Sequence, residues 1–324
     1  MVTGGKAYSP DMKTIVECVP NFSEGRNLQV IDNIASAIES VVGLKVLHLD
    51  MDTDYHRTVV TFVGEKEQVA EGALRAIGKA TELIDLNQHS GAHPRIGASD
   101  VVPFVPIRNV TLQDCVDIAY QVGKEAHRRF LIPVYLYGAA AIQPHRSQLE
   151  NVRQGQFEGL QWAFSGQTSD FPDFGTGRVH PTAGAVAVGA RNFLIAYNIN
   201  LATPDVRLAK KIAQAIRSSS GGLPHIKAIG LNLKTRMQVQ VSINLTNFEV
   251  SPLQTVFDKV CHEAVRIGTR VTGSEIVGLV PRKALLPDFE SSLQLEDFQT
   301  DSVFENRLDK ILKELSSASA TNPQ

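Results

Sequence analysis

The spacing of apolar residues along the first half of the chain predicts three helices among five strands. Apolar positions recur every three or four residues in the helical segments, which are 27–41, 68–83 and 111–129. The last of these begins with Thr111 and Asp114, spaced to form a capping box. Short apolar or alternating runs predict strands at 14–20, 45–50, 57–64, 98–105 and 134–137.

The second half of the chain repeats the order of elements that opens the first half. Two residue pairs, Thr203–Pro204 and Ser251–Pro252, are each typical of a helix start. Helices are therefore predicted at about 203–218 and 251–268. Strands are predicted at 193–200, 226–233, 237–245 and 271–279. The order is β-α-β-β-α-β, the split-βαβ arrangement.

These patterns predict an α+β fold made of two split-βαβ, ferredoxin-like subdomains. Each sheet is expected to carry its helices on the outside, and the two sheets are expected to face each other with a cleft between them. The boundary is placed near Arg191, after a glycine-rich stretch. The predicted parts are a flexible extension at 1–13, an N-terminal subdomain at 14–191, a C-terminal subdomain at 192–300, and a C-terminal helix with a disordered tail at 301–324.

Composition narrows the class of protein without changing this fold. The 324 residues are 43% hydrophobic and 20% charged, with a formal net charge of −2. These values are typical of a soluble globular protein and disfavour nucleic acid or a membrane as the main partner. No apolar stretch approaches the roughly 20 residues of a membrane span. Cys18, Cys115 and Cys261 form no CxxC pair, which disfavours disulfides and thiolate-bound zinc and favours a cytoplasmic location.

His93 is the first candidate for chemistry. It lies between Gly91 and Gly97, beside Pro94, in a stiff loop that opens onto a predicted strand. A histidine with its ordinary pKa of about 6.5 can take and return a proton at neutral pH. The alternative is a structural histidine with a satisfied hydrogen bond, and the residues alone leave the two interpretations equally open.

An acidic cluster follows the strand at 45–50. Asp50, Asp52 and Asp54 alternate there, but the spacing is not that of a calcium-binding loop, so no metal is predicted. One interpretation is a solvated turn. The other is that one of these carboxylates orients His93 and stabilises its cationic form.

Two further stretches could bind a ligand. Asn21, Ser23 and Glu24 precede the first helix, whose N-terminus favours anions, and Arg26 adds a partner for a carboxylate. Plain helix capping by Ser23 or Asn27 is the alternative. The glycine-rich stretch 173–184 matches neither a P-loop nor GxGxxG. It could let the backbone approach a flat ligand closely, or it could be a connection between domains.

These stretches, taken together with others along the chain, resemble the formiminotransferase family. The resemblance extends from residue 14 to about 290. The segments that carry it are VECVPNFSEG at 16–25, RTV at 57–59 with TFVG at 61–64, HPR at 93–95 with GA at 97–98, PVYLYG at 133–138, GARNFLIAYNIN at 189–200, and GLVP at 278–281.

The resemblance implies two α/β subdomains with facing sheets, usually in a homodimer. It implies transfer of the formimino group from N-formimino-L-glutamate to N5 of tetrahydrofolate, with glutamate released and no metal required. His93 corresponds to the family's catalytic histidine and Asp50 to its partner aspartate. The folate-contacting loop corresponds to Gly175, Thr176, Gly177, Arg178, Val179, His180, Pro181, Thr182, Ala183 and Gly184.

The donor and the folate tail both carry carboxylates. The candidates for binding them are Asn21, Ser23, Arg26, Arg57, Arg95 and Arg191. Two positions depart from the family pattern, since Ala92 stands where Glu is usual and His56 where Asn is usual. The alternatives are a formyl-folate enzyme, which either transfers formyl to glutamate or cyclises 5-formyltetrahydrofolate with ATP, and a folate-binding protein without turnover.

Overall fold

The contacts within the chain divide it into two units. The computed structural model describes residues 14–163, 171–175, 178–233 and 238–320. Within that range, the first unit contains residues up to Arg191 and from Leu308 onward, and the second contains Asn192–Arg307. The predicted extension at 1–13 and the last residues, 321–324, lie outside the described part.

The first unit combines seven strands with helices. Its strands are β1 Ile15–Cys18, β2 Asn21–Phe22, β3 Lys45–Asp52, β4 Arg57–Gly64, β5 Ser99–Arg108, β6 Val134–Gly138 and β7 Val186–Ala190. Its helices are α1 Leu28–Glu39, α2 Lys66–Leu83, α3 Leu112–Phe130, α4 Leu149–Val152 and α5 Gln156–Ala163.

These seven strands form one mixed sheet. β1 and β2 both lie between β4 and β5 and run antiparallel to them, and β3 pairs with the other side of β4. β7 pairs parallel with β5 and with β6. The predicted strand at 14–20 contains the shorter β1, whereas β2 and β7 are strands that the sequence did not predict.

Helices α1, α2 and α3 cover one face of this sheet. Ile31, Ile34 and Ile38 of α1 pack in the core with Val60 and Phe62 of β4. The predicted capping box fixes the start of α3, since Thr111 and Asp114 exchange hydrogen bonds. Because strand side chains alternate between faces, Arg57 and Val59 project from the side opposite these helices.

The second unit contains a four-stranded sheet. Its strands are β8 Ile195–Leu201, β9 Ile226–Leu233, β10 Gln238–Leu245 and β11 Val271–Val277, and its helices include α6 Val206–Ile216, α7 Leu253–Arg266 and α8 Phe289–Ser292. The strand order is β11-β8-β10-β9, and every pairing is antiparallel. The prediction of an α+β fold with two sheets and helices packed on their outside is confirmed. The predicted cleft between facing sheets stays a prediction.

The start of α6 differs from the prediction. Asp205, not Thr203, is the capping residue, because the Asp205 carboxylate accepts from Arg207 N at 2.9 Å. The Thr203 hydroxyl oxygen instead accepts from Asp205 N at 3.1 Å and shapes the turn before the helix.

The described part of the chain ends in a long helix. This helix, α9, spans Phe304–Ala320, within the range 301–324 where a C-terminal helix and a tail are predicted. None of the helices in the described part is both long and apolar enough to cross a membrane.

Candidate functional site

His93 lies half-buried in the loop between α2 and β5. Its Nδ1–H donates to the backbone oxygen of Pro94 at 2.8 Å. A carbonyl can only accept, so this bond places the proton of the neutral imidazole on Nδ1 and the lone pair on Nε2. Among the described residues, none hydrogen-bonds to Nε2. The ring of Tyr55 lies beside it, with the two ring centroids 5.7 Å apart.

A buried ion cluster joins three elements near this loop. The side chain of Asp100, which is fully buried, accepts from Arg57 Nη1 at 2.7 Å and from Arg153 Nη2. Its second oxygen accepts from Ile96 N at 2.8 Å, in the His93 loop itself. Arg57 Nε donates to Asn21 Oδ1 at 3.0 Å. We refer to Arg57, Asp100 and Arg153 as the arginine–aspartate cluster.

The cluster sets the charge states around His93. Burial opposes ionisation of Asp100, but Arg153 and Arg57 outweigh that effect and hold its pKa well below the usual 3.8. Burial, together with the Arg57 and Arg153 cations, lowers the pKa of His93 well below 6.5, while Asp100 partly opposes the shift. His93 is therefore neutral at physiological pH and can act as a base.

The predicted folate loop docks directly on the His93 loop. Ala98 N donates to Ala183 O at 2.9 Å, and Ala185 N donates to Ile96 O at 3.0 Å. The same loop is closed on itself by paired hydrogen bonds between His180 and Gly184. The structure thus joins the C-terminal end of the predicted folate loop to the loop that carries His93. Thr176 and Gly177 lie outside the described residues.

Gly97 makes this docking possible because it has no side chain. A Cβ atom there would lie 1.7 Å from the Ala185 carbonyl oxygen. We expect Gly97→Ala to lower the free energy of unfolding by about 1–3 kcal/mol, as overpacking usually does, and to lower kcat by displacing His93.

Urea unfolding and steady-state kinetics measure both effects. Gly159→Ala in α5 is the matched control, since its Cβ would meet only Gln154 O at 3.9 Å. Equal stability and kcat in Gly97→Ala and the wild type would contradict the tight docking of these loops.

A second polar network holds the start of the His93 loop. The rings of His56 and His89 stack at 4.3 Å, and His56 Nε2 lies 3.2 Å from Glu24 Oε1. Arg95 Nε donates to His89 Nδ1, and the Arg95 amino groups bind Glu158 at 2.8 and 2.6 Å. Burial lowers the pKa of His89 to about 4, so this ring is neutral and can accept from Arg95.

The remaining predicted residues lie around these groups. Asp50 stands opposite Val59, and Val59 stands opposite Asn21, so both polar residues share the sheet face from which Arg57 projects. Ser23 is buried and donates to Gly97 O at 2.7 Å. Arg26 donates to Thr53 O and Ser90 O.

Arg178 and Arg191 have different surroundings. Arg178 is exposed. Arg191 hydrogen-bonds to Tyr137 and lies near Glu17, whose pKa is raised to about 7 by burial despite the Arg191 cation. The partnership of Asp50 with His93 stays a prediction, as do the roles of the predicted carboxylate ligands. In the described residues, no group of three or more His, Cys, Asp or Glu side chains is arranged to hold a metal ion.

Sequence reasoning missed Asp100, Arg153, His89 and Glu158. Asp100 alone carried a signal, since it is an acidic residue at the start of an otherwise apolar strand. Arg153 follows the short helix α4, which the sequence did not predict, and its partner Asp100 is 53 residues away along the chain.

Comparisons with known proteins match both units of the chain to the same protein family. The family model described as the N-terminal subdomain of the formiminotransferase domain matches residues 15–191, and that of the formiminotransferase domain matches residues 196–308.

Individual relatives are similar over most of the chain. The chain is 44% identical over 305 residues to a glutamate formimidoyltransferase of Streptococcus pyogenes serotype M1, covering 92% of this chain and 99% of that protein. It is 43% identical over 299 residues to a glutamate formimidoyltransferase of Thermoplasma acidophilum, with 92% and 98% covered. It is 43% identical over 309 residues to the formimidoyltransferase-cyclodeaminase of Mus musculus, covering 92% of this chain and 57% of that protein.

Proposed function

Because this chain belongs to the formiminotransferase family, we propose that it is an enzyme that transfers the formimino group from N-formimino-L-glutamate to N5 of tetrahydrofolate and releases glutamate. Two full-length relatives named glutamate formimidoyltransferase support this assignment. Tetrahydrofolate acts as a co-substrate in this reaction. The observation that best supports the chemistry is the hydrogen bond from His93 Nδ1 to Pro94 O, which leaves the lone pair of a neutral ring on Nε2.

The reaction needs one proton removed and one proton delivered. N5 of the folate attacks the carbon of the protonated formamidine, and a C–N5 bond forms in a tetrahedral aminal. His93 Nε2 takes the proton that N5 must lose. It then gives that proton to the glutamate nitrogen as the C–N bond to glutamate breaks. His93 ends in the state in which it began, and such proton transfer typically contributes about 10²–10⁴-fold to the rate.

The proposed binding roles follow the positions of the other residues. Asp50 is proposed to stabilise the positive charge of the formamidine. The loop of Gly175 to Gly184 is proposed to bind the folate, and the hydrogen bond from Ala98 N to Ala183 O supports a position next to the His93 loop. Fixing both substrates next to one base supplies part of the rate enhancement by proximity.

The proposed base has a distinctive pH dependence. Because burial, Arg57 and Arg153 lower the pKa of His93, the neutral base persists as the pH falls through 6.5. We expect kcat/KM for the donor to stay level there and to decline only at more acidic pH, since this parameter reports the free enzyme. A decline with an apparent pKa at or above 6.5 would contradict this electrostatic picture of His93.

A panel of donor substrates tests the assignment. The wild-type protein is assayed with N-formimino-L-glutamate and tetrahydrofolate, with N-formyl-L-glutamate and tetrahydrofolate, and with 5-formyltetrahydrofolate and ATP. We expect the first pair to give the highest kcat/KM. Turnover of only a formyl substrate would reassign the protein to formyl-folate chemistry. Calorimetric binding of tetrahydrofolate without turnover of any pair would make it a binding protein. The homodimer and the cytoplasmic location stay predictions.

A further inference from the structure

We propose that Arg153, held by Asp100 near His93, is the anchor for one carboxylate of the amino-acid donor. This inference rests on the proposed function and deepens it, because it identifies the group that recognises the dicarboxylate. Arg153 is not among the residues that the sequence pattern or the family resemblance indicated.

The first support is the charge of the arginine–aspartate cluster. Two guanidinium groups share the single carboxylate of Asp100, which leaves an excess of one positive charge. The side chains of Arg57 and Arg153 are only 7% and 13% exposed. An excess charge shielded from water in this way is unfavourable unless an anion compensates it. A carboxylate bound here would supply that compensation.

The second support is an unused hydrogen-bond donor. Nε of Arg153 is buried and, among the described residues, has no acceptor. Asp100 engages one amino group of the same guanidinium. Such orphaned buried donors are rare in native proteins. A guanidinium group is well suited to a carboxylate because two of its N–H groups can bind both oxygens.

Two of the predicted carboxylate ligands, Arg95 and Arg57, already use Nε for a hydrogen bond within the protein. Arg95 uses Nε for His89 and both amino groups for Glu158. Arg57 uses Nε for Asn21 and Nη1 for Asp100. Of these three arginines, Arg153 is the one whose Nε has no acceptor among the described residues.

The backbone around Arg153 fixes it relative to His93. Arg153 N donates to Leu149 O, and Arg153 O accepts from Gln156 N. The next residue, Phe157, donates from its backbone N to Arg95 O at 3.0 Å, within the His93 loop. The anchor and the proposed base are therefore held by one connected set of hydrogen bonds, which is what precise placement of the formamidine requires.

Kinetics of Arg153→Gln test the anchor. We expect KM for N-formimino-L-glutamate to rise about 10-fold to 100-fold, which corresponds to about 1.4–2.8 kcal/mol of binding free energy, while KM for tetrahydrofolate stays within about two-fold of the wild type. Arg153→Lys keeps the positive charge but lacks Nε. Its KM for N-formimino-L-glutamate should lie between those of the wild type and Arg153→Gln. Arg129→Gln, which removes an arginine paired with Glu71 and Glu125 on the helical surface, is the matched control and should change neither KM.

Two donor analogues separate an anchor from a structural role. The N-formimino derivative of 4-aminobutyrate lacks the α-carboxylate, and that of 2-aminobutyrate lacks the side-chain carboxylate. If Arg153 binds one carboxylate, the rise in KM caused by Arg153→Gln disappears for the analogue that lacks this carboxylate and persists for the other analogue. The proposal would be overturned if Arg153→Gln raised KM equally for both analogues and for tetrahydrofolate, or if it raised none of these KM values.

A direct measurement of L-glutamate binding tests the anchor without requiring turnover. In calorimetry, wild-type protein is expected to bind L-glutamate at least about 10-fold more tightly than Arg153→Gln, the ratio that the loss of one charged hydrogen bond predicts. If the wild type binds L-glutamate in this way but transfers no formimino group, the proposed function fails and the anchor stands. If the wild type is active and both proteins bind L-glutamate equally, the anchor fails and the proposed function stands.

Discussion

Replacing His93 by alanine is expected to lower kcat for formimino transfer by about 10²–10⁴-fold, the usual contribution of a positioned acid–base group. The reason is that both proton transfers, off N5 and onto the glutamate nitrogen, pass through Nε2. Among the described residues, the side chain makes one hydrogen bond, to the neighbouring Pro94 O, and one ring contact, with Tyr55. The dissociation constant of tetrahydrofolate should therefore change by less than about three-fold, or about 0.6 kcal/mol.

The matched control is His262→Ala. That side chain is 70% exposed on α7 in the second unit, and its removal should leave kcat unchanged. Steady-state kinetics and calorimetry with tetrahydrofolate on the three proteins measure both expectations. A folded His93→Ala protein with near-normal kcat would remove His93 from the mechanism.

Replacing Asp100 by asparagine is expected to give the largest loss of stability. The change leaves Arg57 and Arg153 buried without their shared counter-charge. Removing one partner of a buried ion pair typically costs about 3–5 kcal/mol. Urea unfolding measures this loss, with Asp117→Asn as control, since Asp117 is exposed and accepts from Gln113 on the surface of α3. The control should change the free energy of unfolding by less than about 0.5 kcal/mol.

We also expect Asp100→Asn to change how the free energy of unfolding depends on pH in the acidic range. The pKa of Asp100 in the folded protein lies below its ordinary value of 3.8. Its contribution to stability is therefore fully present above the unfolded pKa and is lost as the pH falls below about 3.9. Wild-type stability should fall more steeply than that of Asp100→Asn in this acidic range. Parallel stability curves, or a loss below about 1 kcal/mol at neutral pH, would show that the ion cluster contributes little.

The regular elements were predictable because their signals are local. α1, α2 and α3 each carry an apolar face at helical spacing, and Thr111 with Asp114 marks a helix start in the sequence itself. β10 alternates apolar and polar residues in the way expected of a strand with one buried face. The β-α-β-β-α-β order of the second unit followed from these signals.

β7 was missed because the features that make it a strand are not local. Its sequence, VAVGA, is short and rich in small residues and follows a glycine-rich stretch. It becomes a strand by pairing in parallel with β5 and β6 on its two sides. Gly189 suits this position, since a Cβ there would lie 2.4 Å from the Tyr137 carbonyl oxygen.

The candidate site also has one part that the sequence indicates locally and one part that it does not. His93 could be found from its own loop, because proline and glycine on either side mark a fixed geometry. The arginine–aspartate cluster could not, since Arg57 and Arg153 reach Asp100 from 43 and 53 residues away. Burial and the charges of this cluster together lower the pKa of His93, so the sequence indicated which residue could carry the chemistry but not what tunes it.

The most direct test of the proposed transfer follows the formimino carbon itself. N-Formimino-L-glutamate labelled with ¹³C at that carbon is mixed with tetrahydrofolate and the wild-type protein, and the label is followed by NMR. We expect the label to move to N5 of the folate as an equal amount of glutamate appears, and His93→Ala to slow this transfer by orders of magnitude. A label that stays on glutamate in the presence of folded wild-type protein that binds tetrahydrofolate would contradict the proposed transfer.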